Sequence, residues 1–193
     1  MCIRDSYTGY LGSFQQLELV GAFFNRHKKD DTLIFVDPAM ADNGKLYTGF
    51  TPEFARAMGS VVCSKADIID PNITEAAFML DAEYKENGAY DEAYVQDLLQ
   101  GLVQLGAKKA VLTGVSLEPG KCGVYGLDGE TGSYFSYFNE LVDAHFHGTG
   151  DIFSSTAVGA LMNGFSLDKA LAVAADYTVA CIKETIKMCI RDR

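Results

Sequence analysis

The chain has 193 residues, 48% of them hydrophobic, which is enough for one domain with a sizeable core. Acidic residues outnumber basic ones, 26 to 16, for a formal net charge of -10. No Lys or Arg cluster forms a basic stripe, so neither nucleic acid nor an anionic membrane is an expected partner.

No apolar run is long enough to span a bilayer, and no signal-peptide core is visible. The five cysteines are scattered, with no CxxC pair and no metal-ligand spacing, and read as reduced thiols in a cytoplasm. Met1-Cys2-Ile3-Arg4-Asp5 recurs as Met188-Cys189-Ile190-Arg191-Asp192. An identical pentapeptide at both extremes of a non-repetitive chain reads as the translation of a sequencing-library adaptor. Residues 1–6 and 188–193 are therefore expected to be scars around a single domain at 7–187, with native sequence continuing beyond one or both ends.

In chain order, residues 13–28 place Phe14, Leu17, Val20, Phe23 and Phe24 on one helical face, with Ser13 as N-cap. Thr32–Pro38 is a short apolar run of the buried parallel-strand type. Asp42-Asn43-Gly44 signals a turn. Thr51 and Pro52 open a helix as N-cap and first residue. Ala66–Asn72 is a second short strand, ended by a proline. A helix near 74–81, a polar loop over 82–90 and a helix over 91–104 follow, the last with Tyr94, Leu98, Leu99 and Leu102 inward. Lys109–Gly114 is a third strand. Asp128-Gly129 signals a hairpin between two β-rich segments. Residues 150–163, small and apolar nearly all round, predict a buried helix. The final helix, 167–186, carries a stripe of Leu167, Leu171, Ala174, Thr178, Cys181 and Ile182. Helices alternating with short apolar strands predict an α/β layer fold with a mostly parallel sheet.

Ligands of such folds sit outside the carboxyl ends of the strands. Asp37 ends one strand, Asp70 and Asn72 another, and Thr113-Gly114 a third. Singly, each is as readily a turn or cap residue, and Asn72-Ile73-Thr74-Glu75 is as readily a helix start. The stretch His147-Gly148-Thr149-Gly150-Asp151 is more telling. A glycine-rich turn opening a helix presents unpaired N–H groups and partial positive charge to an anion. A carboxylate at the same place can take a proton from an attacking hydroxyl while those groups stabilise a transferred phosphoryl group. On local sequence alone, Asp151 serves equally as a helix cap.

Taken in order, YTGYLGS, VDPAMADNGKLY, ADIIDPNITEA, VLTGV and GTGDIFSSTAVGAL resemble the pyridoxal kinase branch of the ribokinase superfamily. The resemblance covers nearly everything between the terminal pentapeptides. It implies a three-layer α/β/α kinase that moves the γ-phosphoryl of ATP to the 5′-hydroxyl of pyridoxal, pyridoxine or pyridoxamine, usually as a homodimer. Asp151 would be the general base, and Gly148, Thr149 and Gly150 the anion hole. Asp42 and Glu75 would organise Mg²⁺, directly or through water. Asp37, Asn72, Thr113 and Gly114 would approach the ATP phosphates together with Glu75, with a monovalent cation (K⁺ or Na⁺) near Asp37 and Thr113. Tyr10 would lie beside the pyridine ring.

The chain has no GxxxxGK[ST] loop, which excludes a P-loop kinase. The family's first βαβ units are absent before YTGY, and a chain lacking them is expected to be weakly active or inactive. Hydroxymethylpyrimidine kinase shares the fold and the base and stands as the alternative substrate reading. A non-catalytic nucleotide-binding domain stands as the alternative class. His145 and His147 share a spacing that can bind metal but lack a third ligand nearby.

Overall fold

The computed structural model describes residues 5–144 and 146–191. Its elements in chain order are β1 (Ser6–Thr8), α1 (Phe14–His27), β2 (Ile34–Val36), β3 (Ala41–Asp42), β4 (Lys45–Leu46), α2 (Pro52–Ala57), β5 (Ile68–Ile69), α3 (Ile73–Leu80), α4 (Glu92–Gln104), β6 (Lys109–Val115), β7 (Lys121–Asp128), β8 (Ser133–Glu140), α5 (Thr149–Met162) and α6 (Leu167–Arg191). The main sheet has the order β1-β2-β5-β6-β7-β8. Its first four strands are parallel, and β7 and β8 extend it as an antiparallel hairpin.

Alternation along the strands divides the core into two. Ile34, Val36, Ile69, Ala110 and Leu112 face one side, with Leu17 and Phe24 of α1, Phe54 of α2 and Leu98, Leu99 and Leu102 of α4. Phe35, Ile68, Val111 and Val124 face the other, against Phe153 and Ala157 of α5 and Leu171, Ala174 and Ala175 of α6. This is the α/β layering that the periodicity predicts, in the three-layer α/β/α form that the resemblance implies. Among the described residues, no helix is long and apolar enough to cross a membrane.

The helix starts follow their caps. Ser13 Oγ accepts from Gln16 N–H at 3.2 Å, Thr51 Oγ1 from Phe54 N–H at 3.3 Å, and Asp91 from Tyr94 N–H at 3.0 Å. The hairpin at Asp128 forms as predicted, its carboxylate accepting from Glu130 and Thr131 N–H inside the turn.

Four expectations shift. Asp42-Asn43-Gly44 is a complete small hairpin, β3–β4, with Asn43 and Gly44 both at positive φ, the turn that the strand twist prefers. Its strands are two residues each, too short for any periodicity to show. The helix opened by Thr51 loosens after Ala57 into a π-type turn (Met58–Val62) and a 3-10 turn (Cys63–Lys65). α5 buries one face, not its whole circumference: Phe153, Ser154, Ala157 and Ala160 are buried, with Val158 and Leu161 partly covered beside them. On α1, Leu17, Gly21 and Phe24 are buried, whereas Phe14 and Phe23 are half exposed. Residues read as adaptor remnants are accommodated: Ser6 N–H donates to Leu33 O, Asp5 Oδ1 accepts from Leu33 N–H at 2.9 Å, and α6 continues to Arg191. Residues 1–4, 192 and 193 lie outside the described residues.

The amino ends of the parallel strands are tied by one side chain. Asp67, just before β5, accepts from Ile34 N–H at 2.8 Å and pairs with Lys28 at 3.0 Å and Lys108 at 2.9 Å. Burial alone would raise its pKa, but the bonds from Lys108, Ile34 and Lys28 hold it below the usual carboxylate value. Replacing Asp67 with Ala strands a buried N–H and should cost about 2 kcal/mol. Asp67→Asn, which keeps an acceptor, should cost less. Urea unfolding of the three proteins checks the order.

Candidate active site at the carboxyl rim of the sheet

The parallel strands carry polar residues at or next to their carboxyl ends, and adjacent strands bring those residues together. Asp37 follows β2 and donates its backbone N–H to Thr8 O of β1; Asp70 follows β5 and donates its own to Val36 O. Asn72 forms an isolated parallel bridge with Thr113 on β6. In strand register, Tyr7 sits beside Phe35 and Asp70 beside Asp37, so all of these except Asn72 face the α5 layer. At Gly114 the pairing of β6 with β7 slips, and its φ of 69° is a conformation glycine adopts without strain.

Asn72 and Glu75 form a capping box at the start of α3. Asn72 Oδ1 accepts from Glu75 N–H at 2.9 Å, and Glu75 Oε2 accepts from Asn72 N–H at 2.8 Å. The same pair holds the β3–β4 hairpin. Glu75 Oε1 accepts from Met40 N–H at 3.0 Å and Ala41 N–H at 3.4 Å, Asn72 Nδ2 donates to Ala41 O, and Thr74 Oγ1 accepts from Gly44 N–H. The helix-start reading of this segment is therefore realised, and it also fixes the hairpin that carries Asp42. Asp42 itself is exposed, its oxygens bonded to the backbone and side chain of Asn43.

α5 begins at Gly148, whose φ of 85° is left-handed and which makes no side-chain cap bond. The first helical hydrogen bond runs from Ile152 N–H to Gly148 O, and among the described residues the amides of Thr149, Gly150 and Asp151 have no partner. Around Gly150 there is open space. Asp151 is exposed, and among the described residues its carboxylate bonds none of these amides, so the capping alternative finds no bond to support it. The carboxylate instead lies over the rim: Cβ positions built at Gly9 and Gly148 would sit 3.9 Å from Oδ1 and Oδ2. Tyr10, next to Gly9, is 61% exposed and packs its ring 5.4 Å from Phe50.

One turn on, Ser154 Oγ donates to Asp70 Oδ2 at 2.5 Å and lies 3.5 Å from Asp37 Oδ2. Asp70 is 3% exposed, and its Oδ1 has no partner among the described residues. Among the described residues, no lysine or arginine pairs with Asp37, Asp70 or Glu75. The electrostatics follow. Burial, then the charge of Asp151, raises Asp37 to about 7 against the Ser154 bond. Burial and the Asp37 charge raise Glu75 to about 8 despite its three N–H partners. Asp70 is pushed well up by burial and by Asp37.

The structure thus brings Asp37, Asn72, Glu75, Thr113, Gly114 and Asp151 to one rim, with Tyr10 at its edge and Asp42 on the adjoining hairpin. Four neighbours escaped the sequence reading as site residues. Asp70 was visible only as a strand end. Ser154 had a signal, its i+3 spacing from Asp151. The Tyr7 hydroxyl lies against Ser154, and burial followed by the charges of Asp37, Asp70 and Asp151 raises its pKa. Tyr47 is raised by burial and by Glu75, Asp42, Asp37 and Asp151. No spacing rule points to either tyrosine. His145 lies outside the described residues, and His147 is exposed in the turn before α5, which is not strand-like.

For a divalent ion, the described residues offer no cage of three or more His, Cys, Asp or Glu. Both Glu75 oxygens are taken by backbone N–H groups. Of Asp42 and Glu75, Asp42 is the exposed member, its oxygens bonded to Asn43, which suits Mg²⁺, an ion that keeps several waters and arrives with phosphates.

The family model described as Phosphomethylpyrimidine kinase matches residues 1–190. The pyridoxine/pyridoxal/pyridoxamine kinase of Bordetella avium is 27% identical over 184 residues, 93% of this chain and 60% of its own length. A Bacteroides thetaiotaomicron protein assigned to the phosphomethylpyrimidine kinases superposes with a TM-score of 0.90 at 34% identity, covering 97% of this chain and 64% of that one. It has also been crystallised with pyridoxal, and that form gives 0.88 at 35%, covering 96% of this chain and 64% of that one. Pyridoxal kinase from Lactobacillus plantarum gives 0.85 at 29%, covering 97% and 65%. The chain therefore spans less than two thirds of the length of these relatives.

Asp37 and Glu75 bind protons more tightly folded than unfolded. The stability this contributes is full below about pH 4 and is lost as the pH rises through about 7 and about 8. Without nucleotide or metal, Tm should fall by at least about 4 °C from pH 5.5 to 8.5. Asp37→Asn should shrink that fall, as calorimetry across the range would show.

Proposed function

The chain belongs to the phosphomethylpyrimidine kinase family, and from that premise we propose that the whole protein transfers the γ-phosphoryl of ATP to the 5′-hydroxyl of pyridoxal, pyridoxine or pyridoxamine. The observation that carries this reading is the pairing of an exposed carboxylate, Asp151, with three unpaired helix amides at the carboxyl rim of a parallel sheet.

In this reading the substrate hydroxyl sits against Asp151, which accepts its proton as the oxygen attacks phosphorus. The amides of the Gly148–Gly150 turn and Asp151 receive the charge spread over the transferred oxygens. Asp37, Asn72, Thr113 and Gly114 border the nucleotide phosphates, and the ring of Tyr10, backed by Phe50, bounds the pyridine. Mg²⁺ held at Asp42 with the nucleotide supplies neutralising charge; Glu75 acts through the hairpin it anchors or through water. A monovalent cation beside Asp37 and Thr113 fits a rim of buried carboxyls with no lysine or arginine partner. The pyridoxal-bound relative supports the vitamin reading.

The family description favours one second reading, phosphorylation of a hydroxymethylpyrimidine, which the same base and amides would serve. Parallel assays on the whole protein separate the two: a higher kcat/KM for pyridoxal is expected, and the reverse order selects the pyrimidine. Asp151→Asn should lower kcat by about 10²–10⁴-fold and leave the protein folded, since the side chain is exposed. Unaltered phosphorylation in that variant would remove Asp151 from the base role.

A further inference from the structure

α5 carries both the base and the amides, and it is held against α6 and the sheet mainly by apolar packing. Its buried face is Phe153, Ser154, Ala157 and Ala160. Phe153 and Ala157 pack on Phe35, Ile68 and Val111. Such apolar contact is non-directional and tolerates small slides and rotations. A hydrogen bond is directional. Among the described residues, every other side-chain hydrogen bond of α5 closes on α5 itself or, for Thr149, on Phe146 O in the preceding turn. Only Ser154 reaches the strand ends, through Asp70 at 2.5 Å and towards Asp37 at 3.5 Å. Ser154 is 2% exposed and three residues from Asp151, one turn below the reacting end. α6, by contrast, is clamped to β8 by two bonds, from Tyr137 and Asn139 to Asp176.

We propose that Ser154 is a positioning residue: its hydrogen bond to Asp70 sets the height and rotation of the first turn of α5, and with them the placing of Asp151 and the Thr149–Asp151 amides. The catalytic consequence rests on the kinase reading above; the tie itself does not. A shift of about 1 Å at a reacting group costs on the order of 10²-fold in rate, so a loosened first turn acts on turnover more than on binding.

The test uses Ser154→Ala, Asp70→Ala and Asp70→Asn in the whole protein. Ser154→Ala and Asp70→Ala should each lower kcat at least tenfold with KM for ATP and vitamer within about threefold, and the double variant should be no worse than either alone. Asp70→Asn keeps an acceptor for the serine proton and should retain near-normal kcat. A drop in Tm with kcat preserved in Ser154→Ala would reduce the bond to a structural role. Asp70→Asn as damaging as Asp70→Ala would mean that the charge acts, not the bond. Either result overturns the proposal.

Hydrogen exchange supplies an arm that needs no activity. In this 193-residue chain, Ser154→Ala should speed exchange of the Ile152–Ser155 amides at least tenfold while α6 is unchanged. Equal protection in wild type and variant overturns the tie. A wild-type protein that turns over neither substrate sinks the kinase reading and leaves this arm to decide the tie alone. Should Ser154→Ala not fold, Asp70→Ala read against Asp70→Asn carries the same comparison.

Discussion

The rim depends on a carboxylate whose two oxygens are both taken by backbone N–H groups. Glu75 closes the capping box of α3 and, with its other oxygen, gathers the Met40 and Ala41 amides. Asn72 returns the contact through Ala41 O. The helix start, the loop after β2 and the β3–β4 hairpin are thereby one unit. The positions of Asp42 and Tyr47 against the strand ends follow from this, because a two-residue hairpin has no core of its own to hold it.

Around that unit the molecule separates scaffold from chemistry by face. The α1–α4 layer supplies the larger apolar core, with Leu17, Phe24, Met58, Leu99 and Leu102 all fully buried. The α5–α6 layer is smaller and built on alanines. Side chains of Asp37, Asp70 and Tyr7 turn toward the thinner layer, where α5 brings Asp151 and Ser154. An acidic site between the sheet and the smaller helix layer can accept a charged ligand without dismantling the main core.

The fold was largely legible in the sequence, because long apolar periods and Ser, Thr and Pro starts are local signals. The strands Thr32–Pro38, Ala66–Asn72 and Lys109–Gly114 and the hairpin at Asp128 all lie where apolar runs meet turn residues. The β3–β4 hairpin and the π-type turn were not legible as such, since the one is too short for a period and the other continues a helical pattern. At the site, Asp37, Asn72, Glu75 and Asp151 announce themselves by position at strand and helix ends. Asp70, Ser154, Tyr7 and Tyr47 become neighbours only through strand register and the docking of α5. The outward turn of Phe14 and Phe23 has the same origin: periodicity names a helical face, but only tertiary contact says how wide a stripe of it is covered.

β5 is two residues long and has an aspartate on either side, Asp67 and Asp70. One is neutralised by two lysines and held ionised; the other has a hydroxyl and no cation, and favours its proton. A single short segment therefore carries opposite electrical demands at its two ends, insulated from each other by Ile68 and Ile69 in the sheet interior. Protonation weakens the contacts at one pole of the sheet, and deprotonation those at the other. A substitution that broadens tolerance in one direction should leave the opposite limit where it was.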